Sequence, residues 1–278
     1  MKRTHQFRLL VGACLSAVPA AGHSAIFDRD DREYASAARG SPYAPIGIVL
    51  RHVITRFHPY SVATGFLVDD CHVLATQAVM NGKKSPLGSH LRFRSGLGTP
   101  YYRSTRGRIV AFGGQTDRIR ATESQMEGGA RDWILLRLDQ CVGKTLGHVA
   151  LKSGPFSPYE FRDLKSGSYP RDRGKTNGVS VDPSCMVVRT RGPMWVNDCA
   201  LARGDAGAPI FRIANTGTTR QMVVYAMQSA GHSTKSPVHV GMGYENQAIP
   251  MSVIAPQIES YLSTQSSDKL GRSRDTAL

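Results

Sequence analysis

Arg203-Gly204-Asp205-Ala206-Gly207-Ala208-Pro209-Ile210-Phe211 is the stretch that decides how this chain is read. Two glycines bracket an acid and an alanine, which is the chemistry of a tight loop. An apolar run, Pro209 to Ile213, follows at once. Working outward, similar short runs recur between Gly, Pro and Asn clusters: Ile46–Leu50, Ser61–Val68, Cys71–Thr76, Arg108–Phe112, Asp132–Leu138, Cys185–Val188 and Met222–Met227. Many short strands broken by frequent turns indicate an all-β sandwich or barrel. One helix is predicted, Met251 to Leu262, with Val253, Ile254, Ile258 and Leu262 on one face and Pro256 in or near its first turn. The polar residues 263–278 read as a flexible tail.

The chain has 278 residues, 41% of them hydrophobic, enough to bury a sizeable core. Residues 1–25 read as an export signal. Lys2, Arg3 and Arg8 precede an apolar stretch, Leu9 to Ala21, too short to span a bilayer, and small residues follow. The expectation is an exported protein, periplasmic or secreted, with no transmembrane segment once the signal is removed. Removing the signal takes Cys14 with it and leaves Cys71, Cys141, Cys185 and Cys199. An even count in an exported chain predicts two disulfides with three connectivities open. The short Cys185–Cys199 pairing is preferred, and Cys71–Cys141 follows. No metal or cofactor is expected, because zinc-type C-x-x-C and H-x-x-x-H spacings are absent.

Further segments carry a resemblance. Thr64-Gly65-Phe66-Leu67-Val68, Asp70-Cys71-His72-Val73-Leu74, Arg131-Asp132-Trp133-Ile134-Leu135-Leu136-Arg137-Leu138 and Asp198 through Phe211 occur in that order, and Ala248-Ile249-Pro250 precedes the helix. Together they resemble the exported bacterial trypsin-like serine proteases of the chymotrypsin superfamily, the glutamyl-endopeptidase-like branch of peptidase family S1 included. The resemblance covers roughly Ile46 to Ile258. It implies two six-stranded antiparallel β-barrels with a C-terminal helix and a cleft between the barrels. The organisation expected is an extended N-terminal segment over 26–45, a first barrel over 46–154, and a second barrel with the helix over 155–262. The boundary falls at Gly154-Pro155, where a Gly-, Pro- and Ser-rich stretch begins.

Carried across residue by residue, the resemblance places a degenerate catalytic triad. Val73-Leu74-Ala75-Thr76-Gln77-Ala78-Val79 aligns with the turn that holds the histidine, so that position is Ala78. The aspartate position is Asp132, and the serine position is Ala206. An alanine has neither a nucleophilic nor a basic atom, and the serine and histidine of a triad act as a unit. The backbone N–H groups of Gly204 and Ala206 correspond to an oxyanion hole, which needs no side chain. Asp205 matches the acid that pairs with a freed N-terminus in activated relatives, and reads equally as an ordinary turn acid. Ala200, Ser229 and Gly231 fall at the cleft and specificity pocket, with Ala200 predicting an uncharged floor. His72 reads as a strand residue, Gln77 is not a base at neutral pH, and Trp133, Trp195 and Phe211 read as core or pocket-wall aromatics.

Two classes of function follow. The first is a catalytically inactive protease homologue that binds a peptide or protein in the interbarrel cleft. Its enzymatic alternative is an active endopeptidase with displaced groups, for which Ser229 with His232 is the one pair worth testing. The second class is binding to an anionic surface or polymer, motivated by a formal charge of +14 from 35 basic and 21 acidic residues.

Overall fold

The computed structural model describes residues 30–52, 60–80, 87–113, 130–156, 162–173, 178–217, 219–229 and 246–274. The expected signal peptide, Gly231 and His232 lie outside the described residues.

Six strands close into a barrel in the order β2-β3-β4-β7-β6-β5. They are β2 (Ile46–His52), β3 (Tyr60–Leu67), β4 (His72–Ala75), β5 (His90–Ser95), β6 (Arg103–Phe112) and β7 (Ile134–Leu138). Alternation explains the closure. On β5, Leu91 and Phe93 are buried while His90 and Arg92 are exposed, the period-2 pattern of a half-buried strand. Val49, Ala63, Leu67, Val73, Phe93, Ile109, Leu136 and Leu138 meet inside the barrel.

The second half is a nine-stranded sheet in the order β1-β10-β9-β13-β14-β15-β12-β11, with β8 pairing parallel to β14. Its strands are β1 (Glu33–Ala35), β8 (Ala150–Leu151), β9 (Leu164–Ser168), β10 (Val179–Cys185), β11 (Val187–Arg191), β12 (Met194–Asn197), β13 (Pro209–Thr216), β14 (Thr219–Gln228) and β15 (Asn246–Pro250). The all-β, two-part architecture agrees with the sequence reading. The second half differs in detail, being an open sheet and not a closed six-stranded barrel. At one edge β1, from the N-terminal segment, adds itself to β10, Glu33 opposite Val181. The run expected over Cys185–Val188 is the junction of β10 and β11.

A shared core joins the two halves. Ile46, Ile48, Phe66, Leu74 and Leu135 on the outside of the barrel pack with Val179, Phe211, Val224, Met227 and Ile249 of the sheet. A short α1 (Gly143–Leu146) follows the barrel, and α2 (Met251–Arg274) closes the chain. The face of α2 is the one read from sequence. Ile254 and Ile258 are buried and Val253 and Leu262 pack beside them, each full burial being worth about 1.5–3 kcal/mol. The helix runs to Arg274, twelve residues past the expected Leu262, over a stretch expected to be a flexible tail. Pro256 sits in its second turn, where its missing N–H leaves the Ser252 carbonyl without the usual partner.

Both predicted disulfides are formed, Cys71–Cys141 and Cys185–Cys199. Among the described residues, no helix is long and apolar enough to cross a membrane.

Candidate active site

The site is assembled around one carboxylate. Asp132 precedes β7, and its Oδ2 accepts hydrogen bonds from Thr76 Oγ1 at 2.8 Å and Ser229 Oγ at 3.1 Å. Its Oδ1 accepts the backbone N–H of Ala78 at 3.1 Å. The same N–H also points at Thr76 Oγ1, 3.1 Å away. Thr76 and Ala78 belong to the turn after β4 that runs into a single 3-10 turn, Gln77–Met80. Ser229 directly follows β14 in the other half, so Asp132 ties the barrel to the sheet.

Gln77 adds a second tie. Its Nε2 donates toward the carbonyls of Arg131 at 2.7 Å, Gly113 at 3.0 Å and Trp133 at 3.4 Å. A carboxamide reaches the backbone on both sides of Asp132 in a way that a small side chain cannot. Gln77 is therefore a clamp on the aspartate loop.

The 203–208 loop is held from both halves. Thr64 of β3 gives its N–H to the Ala206 carbonyl at 2.9 Å and its hydroxyl to the Gly204 carbonyl at 3.0 Å. Gly207 donates to the Gln228 carbonyl at 2.8 Å, and Gln228 N donates to the Ala208 carbonyl at 2.8 Å. Gly207 has φ +87°, and a Cβ there would lie 2.2 Å from the Thr64 carbonyl and 3.1 Å from Thr76 N. Only glycine lets the loop approach β3 and the Thr76 turn this closely. Ala78, Asp132, Ser229 and Ala206 are thus linked by a short chain of contacts through Gln228 and Gly207. Ala78 is exposed and Ala206 is half-buried, so each presents a methyl group to the site. Among the described residues neither Gly204 N nor Ala206 N donates a hydrogen bond.

Behind the loop lie acids and amides. Asp205 is fully buried; its Oδ2 accepts Ala202 N at 2.6 Å and lies 4.0 Å from Nη1 of the buried Arg32. Burial pushes its carboxyl up to about 7, against the opposing pull of the Ala202 N–H, the Ser168 hydroxyl and Arg32. Arg32 itself donates to Asp30 at 2.8 Å and to Asp172 at 2.7 Å, and Arg173 pairs with Asp30 at 2.9 Å.

Ala200, the expected pocket floor, is buried, and its N–H donates to Asp182 Oδ2 at 2.6 Å. Asp182 also accepts Ser184 N at 3.1 Å, and burial raises its carboxyl to about 6. The alanine side chain is uncharged, as read from sequence, yet a carboxylate lies directly behind it. Asp182 also stands near the sulfurs of Cys185 and Cys199, but those sulfurs are bonded to each other and supply no thiolate ligand. A polar network supports the same region. Asn197 and Gln228 exchange two hydrogen bonds, at 3.2 and 3.0 Å, and Asn246 Nδ2 donates to the Cys199 carbonyl at 2.7 Å.

The other candidates fall elsewhere. His72 Nδ1 lies 2.8 Å from Asp69 Oδ2 and its ring packs edge-on to Tyr261, which makes it a strand residue on the barrel exterior. Trp133, Trp195 and Phe211 are buried in the core.

Comparison with solved structures gives a consistent result. A glutamyl endopeptidase bound to MPD matches with a TM-score of 0.59 at 14% identity, over 86% of this chain and 99% of that one. The fold is that of the chymotrypsin-like serine proteases. The protease Anisep from Arthrobacter nicotinovorans matches with a TM-score of 0.51 at 13% identity, over 78% of this chain and 95% of that one. The scabies mite inactivated protease paralogue S-I1 matches with a TM-score of 0.57 at 12% identity, over 84% of this chain and all of its own. No family model matches the sequence, and no curated protein matches it. The likeness is one of chymotrypsin-like fold, at identities too low to carry a substrate or an activity across.

Proposed function

We propose that this chain is an exported, catalytically inactive homologue of the chymotrypsin-like serine proteases that binds a peptide or protein segment in the cleft between its two halves. The observation that carries the reading is the environment of Asp132. Its carboxylate is fully engaged by Thr76, Ser229 and the Ala78 backbone, while methyl groups stand at Ala78 and Ala206. A triad needs a hydroxyl or thiol to attack and an imidazole to take and return the proton. Ala206 supplies neither nucleophile nor proton, and Ala78 supplies no base. What remains is a loop whose Gly204 and Ala206 amides can receive a carbonyl or carboxylate oxygen, beside the end of β14. An extended ligand would pair there with backbone.

Ser229 is a poor replacement nucleophile. It is 5% exposed and its hydroxyl donates to Asp132. The scabies mite protein, named as an inactivated protease paralogue, is a precedent for this fold without its reaction. The two disulfides fit an oxidising compartment outside the cytoplasm.

The test is incubation of the purified protein with casein, peptide esters and a fluorophosphonate probe. The expected result is no turnover and no adduct. An adduct on any serine, or turnover abolished by Ser229→Ala, would sink the reading.

A further inference from the structure

We infer that the outer face of the first barrel, at β5, β6 and β7, is a binding site for a linear glycan chain carrying sulfate or phosphate esters. The site is distinct from the cleft and does not depend on whether the cleft is catalytic.

The barrel's exterior is divided into two sectors. Ile48, Leu50, Phe66, Leu74, Ala111 and Leu135 are covered by the other half and by α2. The uncovered sector presents His90 and Arg92 from β5, Arg106 and Arg108 from β6, and Arg137 from β7, all exposed. The register places these cations directly opposite one another. Arg92 faces Arg106, His90 faces Arg108, and Arg108 faces Arg137. Directly opposed like charges weaken a sheet, and ordinary surfaces interleave the two signs. Charges on a strand can also guard a free edge against aggregation, but a closed barrel has no edge to guard.

Among the described residues, compensation on this face is sparse. Asp139 Oδ2 lies 3.6 Å from Arg106 Nε, in a pair whose side chains are 51% and 70% exposed. Arg92 reaches Ser104 Oγ at 3.2 Å. Among the described residues, Arg108 and Arg137 have no ion pair or side-chain hydrogen bond. The cations recur across strands at about 4.8 Å and along β6 at about 6.8 Å. Guanidinium groups at such intervals match esters repeated along a chain, since each can grip two oxygens of one phosphate or sulfate.

The rest of the face selects among polyanions. Single-stranded nucleic acid is held by aromatic platforms interleaved with the cations; none of the outward cations' cross-strand partners is Phe, Tyr or Trp, and the exposed Tyr101 and Tyr102 lie before β6, beyond the paired positions. Insertion into a lipid surface needs an exposed apolar face, and these outward residues are polar or charged. The two disulfides fit an oxidising compartment, where glycan esters are met more than nucleic acids.

The experiment is calorimetric titration of the full chain with a heparin-derived octasaccharide at several salt concentrations. It uses wild type, Arg106→Thr/Arg108→Thr/Arg137→Thr, and Lys152→Thr/Arg162→Thr/Arg191→Thr, which removes equal charge elsewhere. Threonine suits a strand. The first triple should lose at least tenfold in affinity and about 2 from the slope of log K against log salt, at roughly 0.7 per lost contact. The second should stay within twofold. The melting midpoint of the first triple should be no lower than wild type, because repulsion among Arg106, Arg108, Arg137 and their neighbours has been relieved. Should the first triple fold poorly, Arg108→Thr alone decides, with a loss of about fivefold expected. Equal losses in both triples would reduce the effect to net charge and overturn the proposal. Tighter binding of a 16-base-pair duplex or of phosphatidylglycerol vesicles than of the octasaccharide would overturn it in favour of that partner.

Discussion

Replacing Arg32 by leucine should destabilise the protein in a pH-dependent way. Arg32 brings the N-terminal segment to the buried Asp205, 4.0 Å from its carboxylate, and its charge opposes the rise that burial causes there. Burial raises the Asp205 carboxyl from 3.8 to about 7. A raised acid binds its proton more tightly folded than unfolded. Its contribution therefore weakens the protein as pH climbs from about 4 through 7 and is constant above that. Roughly three pH units correspond to about 4 kcal/mol of penalty already carried at pH 8. Arg32→Leu removes the offsetting cation. Without it the carboxyl rises further from about 7, but at pH 8 it takes up its proton once it passes 8, so the added penalty is at most about 1.4 kcal/mol and the loss at pH 8 should be about 2 kcal/mol with the lost packing included. At pH 5 Asp205 is protonated and only lost packing and the half-exposed pairs to Asp30 and Asp172 remain, about 1 kcal/mol. For a chain of this size the pH 8 loss lowers the melting midpoint by roughly 4–8 °C. The assay is urea unfolding at both pH values, with Asp205→Asn and the double variant to close a cycle. Asp205→Asn keeps an acceptor for Ala202 N and should rescue most of the pH 8 loss. Equal losses at pH 5 and pH 8, or no rescue by Asp205→Asn, would refute the reasoning.

Four further outcomes follow from the same contacts. Asp132→Ala should cost about 2–3 kcal/mol in denaturant unfolding, because Thr76, Ser229 and Ala78 lose their shared acceptor. Gly207→Ala should cost about 3 kcal/mol or prevent folding, readable as loss of soluble protein, since its Cβ would meet the Thr64 carbonyl at 2.2 Å. Reopening Cys71–Cys141 with serines should lower stability by about 4 kcal/mol against about 3 for Cys185–Cys199, because the loops closed span 70 and 14 residues; thermal melts of the two variants rank them. Ala78→His/Ala206→Ser, assayed on casein and with a fluorophosphonate probe, should restore labelling of residue 206 if the Asp132 geometry still suits an imidazole, and Ala206→Ser alone should label far more weakly.

The sequence made the barrel legible because its strands announce themselves by alternation and β-branched runs. Ile46–Leu50, Ser61–Val68 and Asp132–Leu138 fall on β2, β3 and β7 within a residue or two. It hid β5, β9 and β10 for identifiable reasons. Arg92 and Arg94 make β5 look like a charged loop, and Lys165, Ser166 and Gly167 give β9 no apolar pattern. Pro183 lies in β10 beside a register shift between Asp182 and Cys185, which is where a strand tolerates proline. The site was legible where it consisted of chain order: the Ala78, Asp132 and Ala206 turns meet. Asp182 was not legible, since nothing local marks an acid in a Gly- and Pro-rich stretch as lying behind Ala200. Nor was the role of Arg32, because its contact with Asp205 spans 173 positions.

On the reading proposed above, the residues that the fold holds and the two alanines separate along a physical line. Asp132 accepts from Thr76, Ser229 and the Ala78 backbone, so its removal would strand donors from both halves. Gly207 cannot carry a side chain without colliding with β3. Ser229 donates to Asp132 and, through its N–H, to the Gln247 carbonyl at 2.9 Å. Each of these residues is required by the fold whatever the chain does. Positions 78 and 206 are different. In the mechanism their side chains face the substrate and exchange protons with it, and here each is an alanine at the accessible surface of the site. Truncating such groups leaves no buried donor unpaired and no cavity, so it costs little stability. A scaffold relieved of catalysis would drift at those two positions first and hold the others. The clamp made by Gln77 goes further: it adds three contacts across the aspartate loop. A loop stiffened in this way suits a surface that binds in one shape better than a catalytic turn whose imidazole must stay accessible to substrate.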